Sequence, residues 1–249
     1  MKRHCPVEMK NESSRKAVIF LHGFMGSPDN FGAFIPTVFD SGFSCYSLLL
    51  PGHGCTVREY SKTNAEMWEK HLQNEIDRIK EDCDKIYFVT HSMGGLLALS
   101  ASKNKDNKIA GVFMLAPPMK INLFRPSSIY KKLRLLLLPR KHAEIIAYRK
   151  FTGVKYNFFN LLLFTKPIIN FFKIVRKTKK RLSEVTASVC MIHSKNDETV
   201  ALKSAKILCT GMVNAKCETV TLKKSCHAFF PKDEEKIVLE KLLEFIESN

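Results

Sequence analysis

A serine hydroxyl becomes an effective nucleophile when it stands clear of the backbone and a base can take its proton. Ser92 has the surroundings for the first condition. It lies in Thr90-His91-Ser92-Met93-Gly94-Gly95, after the apolar run Lys85-Ile86-Tyr87-Phe88-Val89 and before the helix-prone run Leu96-Leu97-Ala98-Leu99-Ser100-Ala101. A strand therefore meets a helix with a serine at the junction. A sharp turn there lifts the hydroxyl off the sheet and aims the N–H of Met93 at whatever the hydroxyl attacks. Gly94 and Gly95 allow the helix to pass close to the strand. The first small position of the pattern holds Thr90 instead of glycine, so the packing behind the turn must admit a larger side chain. The competing reading is a serine that only caps the helix.

A base and an orienting acid have candidates downstream. Ser188-Val189-Cys190-Met191-Ile192-His193-Ser194-Lys195-Asn196-Asp197-Glu198-Thr199-Val200 reads as a strand followed by a polar loop with two adjacent acids. Lys224-Ser225-Cys226-His227-Ala228-Phe229-Phe230 puts a histidine in a loop before the last helix. The order Ser92, Asp197, His227 is a chain order used by Ser-Asp-His triads. In that chemistry His227 takes the serine proton and returns it to the leaving alcohol, while the acid fixes the imidazole tautomer. Glu198 is the rival acid. His193 is the rival base, since it shares the acid's loop, whereas His22 and His53 sit in Gly-flanked turns and read as loop organisers. His91 adjoins the serine, and its side chain should point away from it. Upstream, Ala17-Val18-Ile19-Phe20-Leu21-His22-Gly23-Phe24-Met25-Gly26-Ser27 carries an apolar strand into a turn that can present an N–H to a developing oxyanion.

These pieces need a scaffold that gathers strand ends. Apolar runs at 17–21, 44–49, 85–90, 110–115, 187–192 and 217–222 alternate with helical stretches near 64–80, 95–103, 201–210 and 233–247. That alternation predicts an α/β fold with a mostly parallel, doubly wound sheet covered on both faces. A chain of 249 residues suits one such domain with an insertion.

The segments together resemble the α/β-hydrolase superfamily and, within it, bacterial carboxylesterases and monoacylglycerol lipases. The matching residues are Leu21-His22-Gly23-Phe24, Leu50-Pro51-Gly52-His53-Gly54, His91-Ser92-Met93-Gly94-Gly95, Asn196-Asp197-Glu198-Thr199-Val200 and Ser225-Cys226-His227. The likeness covers 16–118 and 185–248 and omits the stretch between. It implies a core made of 1–118 and 182–249 and a mainly helical cap at 119–181. It favours Asp197 over Glu198 as the acid, and backbone N–H groups of Phe24 and Met93 as oxyanion donors. It implies hydrolysis of carboxylic esters of medium or long acyl chains, such as monoacylglycerols, through an acyl-enzyme. A thioesterase or lysophospholipase acting on an anionic acyl substrate is the enzyme alternative. A basic lipid- or nucleic-acid-binding module on a hydrolase scaffold is the alternative without catalysis.

The charge is unevenly distributed. The formal net charge is +16, and 17 of the 40 Lys and Arg lie between Lys120 and Arg181 against one acid, Glu144. The rest of the chain is balanced at 23 basic and 23 acidic residues. The insertion interleaves those cations with Phe, Leu and Ile, notably at 131–138, 156–164 and 168–181. Its apolar face could pack on the core and line an acyl pocket, with the cations solvated. It could also dip into an anionic membrane surface. A groove tracking nucleic-acid phosphates would be more polar. No apolar run reaches the roughly 20 residues of a spanning helix, and the basic N-terminus lacks a secretory apolar core. The eight cysteines show no C-x-x-C spacing and read as reduced thiols of a cytoplasmic protein, possible contact with the membrane being peripheral. Metal, nucleotide and flavin signatures are absent, so the expected chemistry uses no cofactor and no metal.

Overall fold

In a computed structural model the described residues are 4–122, 152–155 and 158–249, with nothing said of the side chains of 158, 159 and 161. The insertion's run at 131–138 lies outside them.

Seven strands form one sheet: β1 (Val7–Met9), β2 (Lys16–Leu21), β3 (Ser44–Leu48), β4 (Lys85–His91), β5 (Ile109–Leu115), β6 (Ser188–Ser194) and β7 (Cys217–Leu222). The order across the sheet is β1-β3-β2-β4-β5-β6-β7. Only β1 runs antiparallel, pairing with β3 at the edge. All six strands expected from the sequence are present. β1 was not foreseen, being three residues of which none is buried.

Strand side chains alternate between two apolar layers, as a period of two requires. Ile19, Leu21, Ile86, Phe88, Val112, Met114, Val189 and Met191 face one layer. Val18, Phe20, Tyr87, Val89, Phe113, Leu115, Cys190 and Ile192 face the other. Strands buried on both faces read as unbroken apolar runs, which is why they were legible.

The helices are α1 (Phe34–Asp40), α2 (Val57–Tyr60), α3 (Ala65–Ile79), α4 (Met93–Ala101), α5 (Thr165–Lys180), α6 (Lys203–Gly211) and α7 (Lys232–Ser248). The side chain of Asn64 accepts the Met67 N–H at 2.8 Å and caps α3. Trp68, Leu72, Ile76 and Ile79 then form its buried stripe. Helix α5 belongs to the stretch assigned to the insertion, yet it packs against α3 and α4. Asn170, Ile174 and Thr178 are on its buried side, and Asn170 Oδ1 accepts the Ala65 N–H at 3.3 Å.

The expectation that all eight cysteines are reduced does not hold. Cys209, near the end of α6, and Cys217, at the start of β7, form a disulfide with a Cα–Cα separation of 5.7 Å. The two cysteines are eight residues apart on a helix and the strand that follows it, a spacing outside the C-x-x-C pattern on which the expectation was based.

Candidate active site

Ser92 occupies the tip between β4 and α4 with φ 52° and ψ −121°. An L-residue adopts this conformation only under constraint. The constraint is visible on both sides. The Ser92 N–H donates to Leu115 O at 2.8 Å, and its carbonyl accepts the Gly95 N–H at 3.0 Å. A Cβ on Gly94 would collide with the carbonyl of Leu21, so glycine is what lets α4 lie against the end of β2. The larger Thr90 is accommodated by its hydroxyl, which donates to Phe113 O at 3.2 Å. The Ser92 side chain makes no capping bond to α4, so the capping alternative has no support here.

The acid loop follows β6. Asp197 is 7 % exposed, and its Oδ1 accepts the N–H groups of Thr199 and Val200, both at 2.7 Å. Its Oδ2 lies 2.9 Å from His227 Nδ1. Burial would push the Asp197 carboxyl up, but His227 beside it and the two N–H donors hold it below the usual carboxylate range. Glu198, also buried, accepts the main-chain N–H of His227 at 3.2 Å through Oε2. The structure thus brings Asp197 to the ring and Glu198 to the backbone of one histidine.

Two further residues hold that histidine. His91 Nε2–H donates to His227 O at 2.8 Å, and the two rings lie 4.7 Å apart in an edge-on arrangement. Burial, with His227 nearby, pushes His91 down to about 3. Glu234, on the first turn of α7, accepts the N–H groups of Lys223, Lys224 and Ser225, and the Ser225 hydroxyl at 2.6 Å. The loop leading to His227 is therefore tied to a helix start, where a carboxylate is favoured. His193, the rival base, is buried, and among the described residues neither of its ring nitrogens has a hydrogen-bond partner. The part played by Glu198 and Glu234 escaped the sequence: Glu198 read only as a rival to Asp197, and Glu234 as an ordinary solvated acid. Only the hydrophobic stripe of α7 hinted that Glu234 falls on its inner side.

Phe24 and Met93 flank Ser92 from two elements. Gly23 to Gly26 is a turn closed by the Gly26 N–H on Gly23 O at 2.9 Å, with Met25 at φ 59° as a type II turn needs at its third residue. A Cβ on Gly23 would lie 2.8 Å from Ser92 Cβ and 2.9 Å from His91 O. The Phe24 peptide is therefore a near neighbour of the serine, and Met93 follows Ser92 as the first residue of α4. The Phe24 ring packs on Tyr60 and on Phe171 of α5 at 5.6 and 5.7 Å.

Residues that follow β5 are attached at both parts of this site. On leaving β5 the chain zips onto the acid loop: Asn122 N–H donates to Thr199 O and Ala201 N–H to Lys120 O. On returning, Gly153 N–H donates to Met25 O at 2.7 Å, and Lys155 pairs beside Thr56. Among the described residues no group of three or more His, Cys, Asp or Glu is arranged to hold a metal ion.

A family model described as alpha/beta hydrolase fold matches residues 16–160. The chain belongs to the α/β-hydrolase family. This α/β-hydrolase is of the lipase and esterase type. It is 21 % identical over 241 residues to a thermostable monoacylglycerol lipase of Bacillus sp. (strain H-257), covering 94 % of this chain and 91 % of that one. It is 22 % identical over 254 residues to a carboxylesterase of Bacillus subtilis (strain 168), covering 99 % and 98 %. Its fold is similar to the crystal structure of a monoacylglycerol lipase from Paleococcus ferrophilus, with a TM-score of 0.72, 18 % identity and 98 % of each chain covered.

Proposed function

We propose that this hydrolase cleaves carboxylic esters of medium or long acyl chains, such as monoacylglycerols, through an acyl-enzyme on Ser92. The observation that carries the reading is the Asp197–His227 bond of 2.9 Å, formed by buried groups in loops that follow β6 and β7, with Ser92 held in a constrained turn after β4. Asp197 keeps a proton on His227 Nδ1, so the lone pair is on Nε2, the atom that takes the serine proton. The N–H groups of Phe24 and Met93 stabilise the tetrahedral oxyanion, each such donor being worth on the order of 3 kcal/mol. His227 then protonates the departing alcohol, and water repeats the sequence to release the acid. The similarity to a monoacylglycerol lipase and a carboxylesterase supports an acyl ester as substrate. The test is hydrolysis of p-nitrophenyl esters and monoacylglycerols over a series of acyl lengths by wild type and Ser92→Ala. Activity that survives Ser92→Ala refutes the mechanism, and a rate that does not rise with chain length refutes the substrate class.

The reading includes peripheral docking on anionic lipid. The outer side of α5 has exposed Ile168, Ile169 and Phe172 in its first half and exposed Lys173, Arg176, Lys179 and Lys180 in its second, with no acid on the helix. Apolar residues enter the interface while cations meet headgroups, each cation contributing about 1 kcal/mol near an anionic surface. Among the described residues no helix is long and apolar enough to cross a membrane. Lys177 and Arg181 are excluded from the patch, being paired with Glu69 and Glu184. Co-sedimentation should be stronger with anionic than with neutral vesicles and weaken with salt. Changing the four unpaired cations to Gln should reduce it and leave turnover of a short soluble ester intact. Equal binding to both vesicle types would remove docking from the reading.

A further inference from the structure

The peptide unit between Gly23 and Phe24 has its carbonyl and its N–H on opposite edges. The chain contains no cis peptide bond among the described residues, so the direction of Gly23 O fixes the opposite direction of the Phe24 N–H. Whatever holds that carbonyl aims that N–H. Two donors hold it. One is the Gly26 N–H that closes the turn, at 2.9 Å. The other is the side chain of the preceding residue, His22, whose Nδ1 lies 3.0 Å from Gly23 O.

A carbonyl oxygen can only accept, so the His22 proton is on Nδ1. The second ring nitrogen, Nε2, accepts the Leu50 N–H at 3.1 Å and must keep its lone pair. The two bonds select the same neutral tautomer and leave the ring no other arrangement that satisfies both. His22 is fully buried, with His53 packed on it at 4.6 Å and Tyr60 and Trp68 beyond. Burial and the neighbouring His53 hold His22 well below the usual histidine range, which keeps the ring in the neutral form the bonds need. The ring is also braced at a distance. Leu50 opens the Pro51-Gly52-His53 turn, whose Pro51 carbonyl accepts Trp68 Nε1–H at 3.0 Å from α3.

We propose that His22 is a positioning residue for the oxyanion donor: its Nδ1–H, braced through Nε2 by the Leu50 N–H, holds the Gly23–Phe24 peptide so that the Phe24 N–H faces the charge formed on the substrate. The assignment rests on the catalytic reading of Ser92 and Phe24 above and adds a side chain to it. Backbone donors cannot be removed by mutation, and His22 is the handle by which this one can be turned.

The test uses the full chain and compares His22→Asn with His22→Gln. The Asn amide reaches the place of Nδ1 and can donate to Gly23 O. The Gln amide reaches the place of Nε2 and keeps the Leu50 contact alone. With one misaligned donor, His22→Gln should lose about 10- to 100-fold in kcat with KM nearly constant, a fraction of the effect of losing a donor outright. Affinity for an alkyl boronic acid, whose tetrahedral adduct places an oxygen in the same site, should fall by the same factor. His22→Asn should stay within about threefold of wild type in both measurements. Thermal midpoints of the two variants report any general damage separately. Equal losses in the two variants, or a loss borne by KM while boronate affinity holds, overturn the proposal. Ser92→Ala run alongside separates the layers. If it hydrolyses esters at the wild-type rate, the catalytic reading fails; if it is inactive while Asn and Gln behave alike, only the role of His22 fails.

Discussion

Glu198 holds the main chain of His227 while its neighbour Asp197 holds the ring, through bonds of 3.2 and 2.9 Å. Two consecutive acids thus divide one histidine between them. Asp197→Asn should lower kcat by about 10⁴, because an amide cannot keep the proton on Nδ1 and favours the wrong tautomer. Glu198→Gln keeps an acceptor oxygen for a backbone N–H and should lower kcat by less than about tenfold, since a neutral bond replaces a charge-assisted one. Steady-state ester hydrolysis decides this. A Glu198→Gln enzyme as impaired as the Asp197→Asn enzyme would reverse the two assignments.

The backbone of Ser92 at φ 52°, ψ −121° suits glycine better than any L-residue. Ser92→Gly and Ser92→Ala should both be inactive, yet the glycine variant should be the more stable by about 1 kcal/mol, the strain being relieved only there. Urea unfolding compares them. An alanine variant equal or superior in stability would show that the turn carries no strain.

Folding stability should fall on mild acidification. Burial holds His53 and His193 down to about 4 and His91 to about 3. In the unfolded chain these rings protonate near pH 6.5. Between about pH 6.5 and 4 the unfolded chain binds protons that the native one refuses, so each ring removes up to about 1.4 kcal/mol per pH unit as pH drops. The loss set by the depressed Asp197 carboxyl comes at lower pH, as that group takes its proton. A Tm series from pH 7.5 to 4.5 should slope accordingly. Among the described residues nothing bonds either ring nitrogen of His193, so His193→Leu should flatten the slope without lowering Tm at pH 7.5. A Tm independent of pH would contradict the burial of neutral rings.

Two glycines should respond oppositely to a methyl group. At Gly153 a Cβ would lie 2.6 Å from Gly26 O and 2.8 Å from Ser27 Cβ, so Gly153→Ala must push on the Phe24 turn. At Gly32, with φ −54°, its nearest such neighbour is 3.8 Å away. Gly32→Ala should stabilise by about 0.4–1 kcal/mol through the unfolded chain, while Gly153→Ala should lower both Tm and kcat. Parallel melting curves and ester assays test the pair, and a harmless Gly153→Ala would loosen the claimed contact between insertion and site.

Reducing the Cys209–Cys217 bond should cost about 2–3 kcal/mol, the closure entropy of a short loop. Denaturation with and without a thiol reductant measures it, with Cys209→Ser as the control that should be insensitive to reductant. An unchanged midpoint would mean the bridge does not form in solution.

The six long strands were readable because burial on both faces writes itself as continuous apolar sequence, and α3 because Asn64 and the Trp68–Leu72–Ile76 stripe are local signals. Ser92 stood out through its strand-to-helix junction and His227 through its loop before the last helix, whereas the loop after β6 offers two adjacent acids and only the family resemblance chose Asp197 over Glu198. Helix α1, with Pro36 inside an almost wholly apolar Phe34–Asp40, offers no amphipathic period and was missed. The clasp of Glu234 on the loop at 223–225, the grip of Glu198 and the partners of His22 were also missed. The grip of Glu198 and the Leu50 N–H on His22 join segments 29 and 28 residues apart that meet only when the strands align, while the Glu234 clasp and the His22 bond to Gly23 are local but have no motif that marks them.

Main-chain bonds tie the chain that follows β5 to two other segments, Asn122 to Thr199 beside Asp197 and Gly153 to Met25 in the Phe24 turn. Such anchors ask little of side chains. Residues 119–122 and 153–155 are thereby coupled through the main chain to the segments that carry Asp197 and Phe24, so a shift at either seam is passed directly to the backbone of the proposed site.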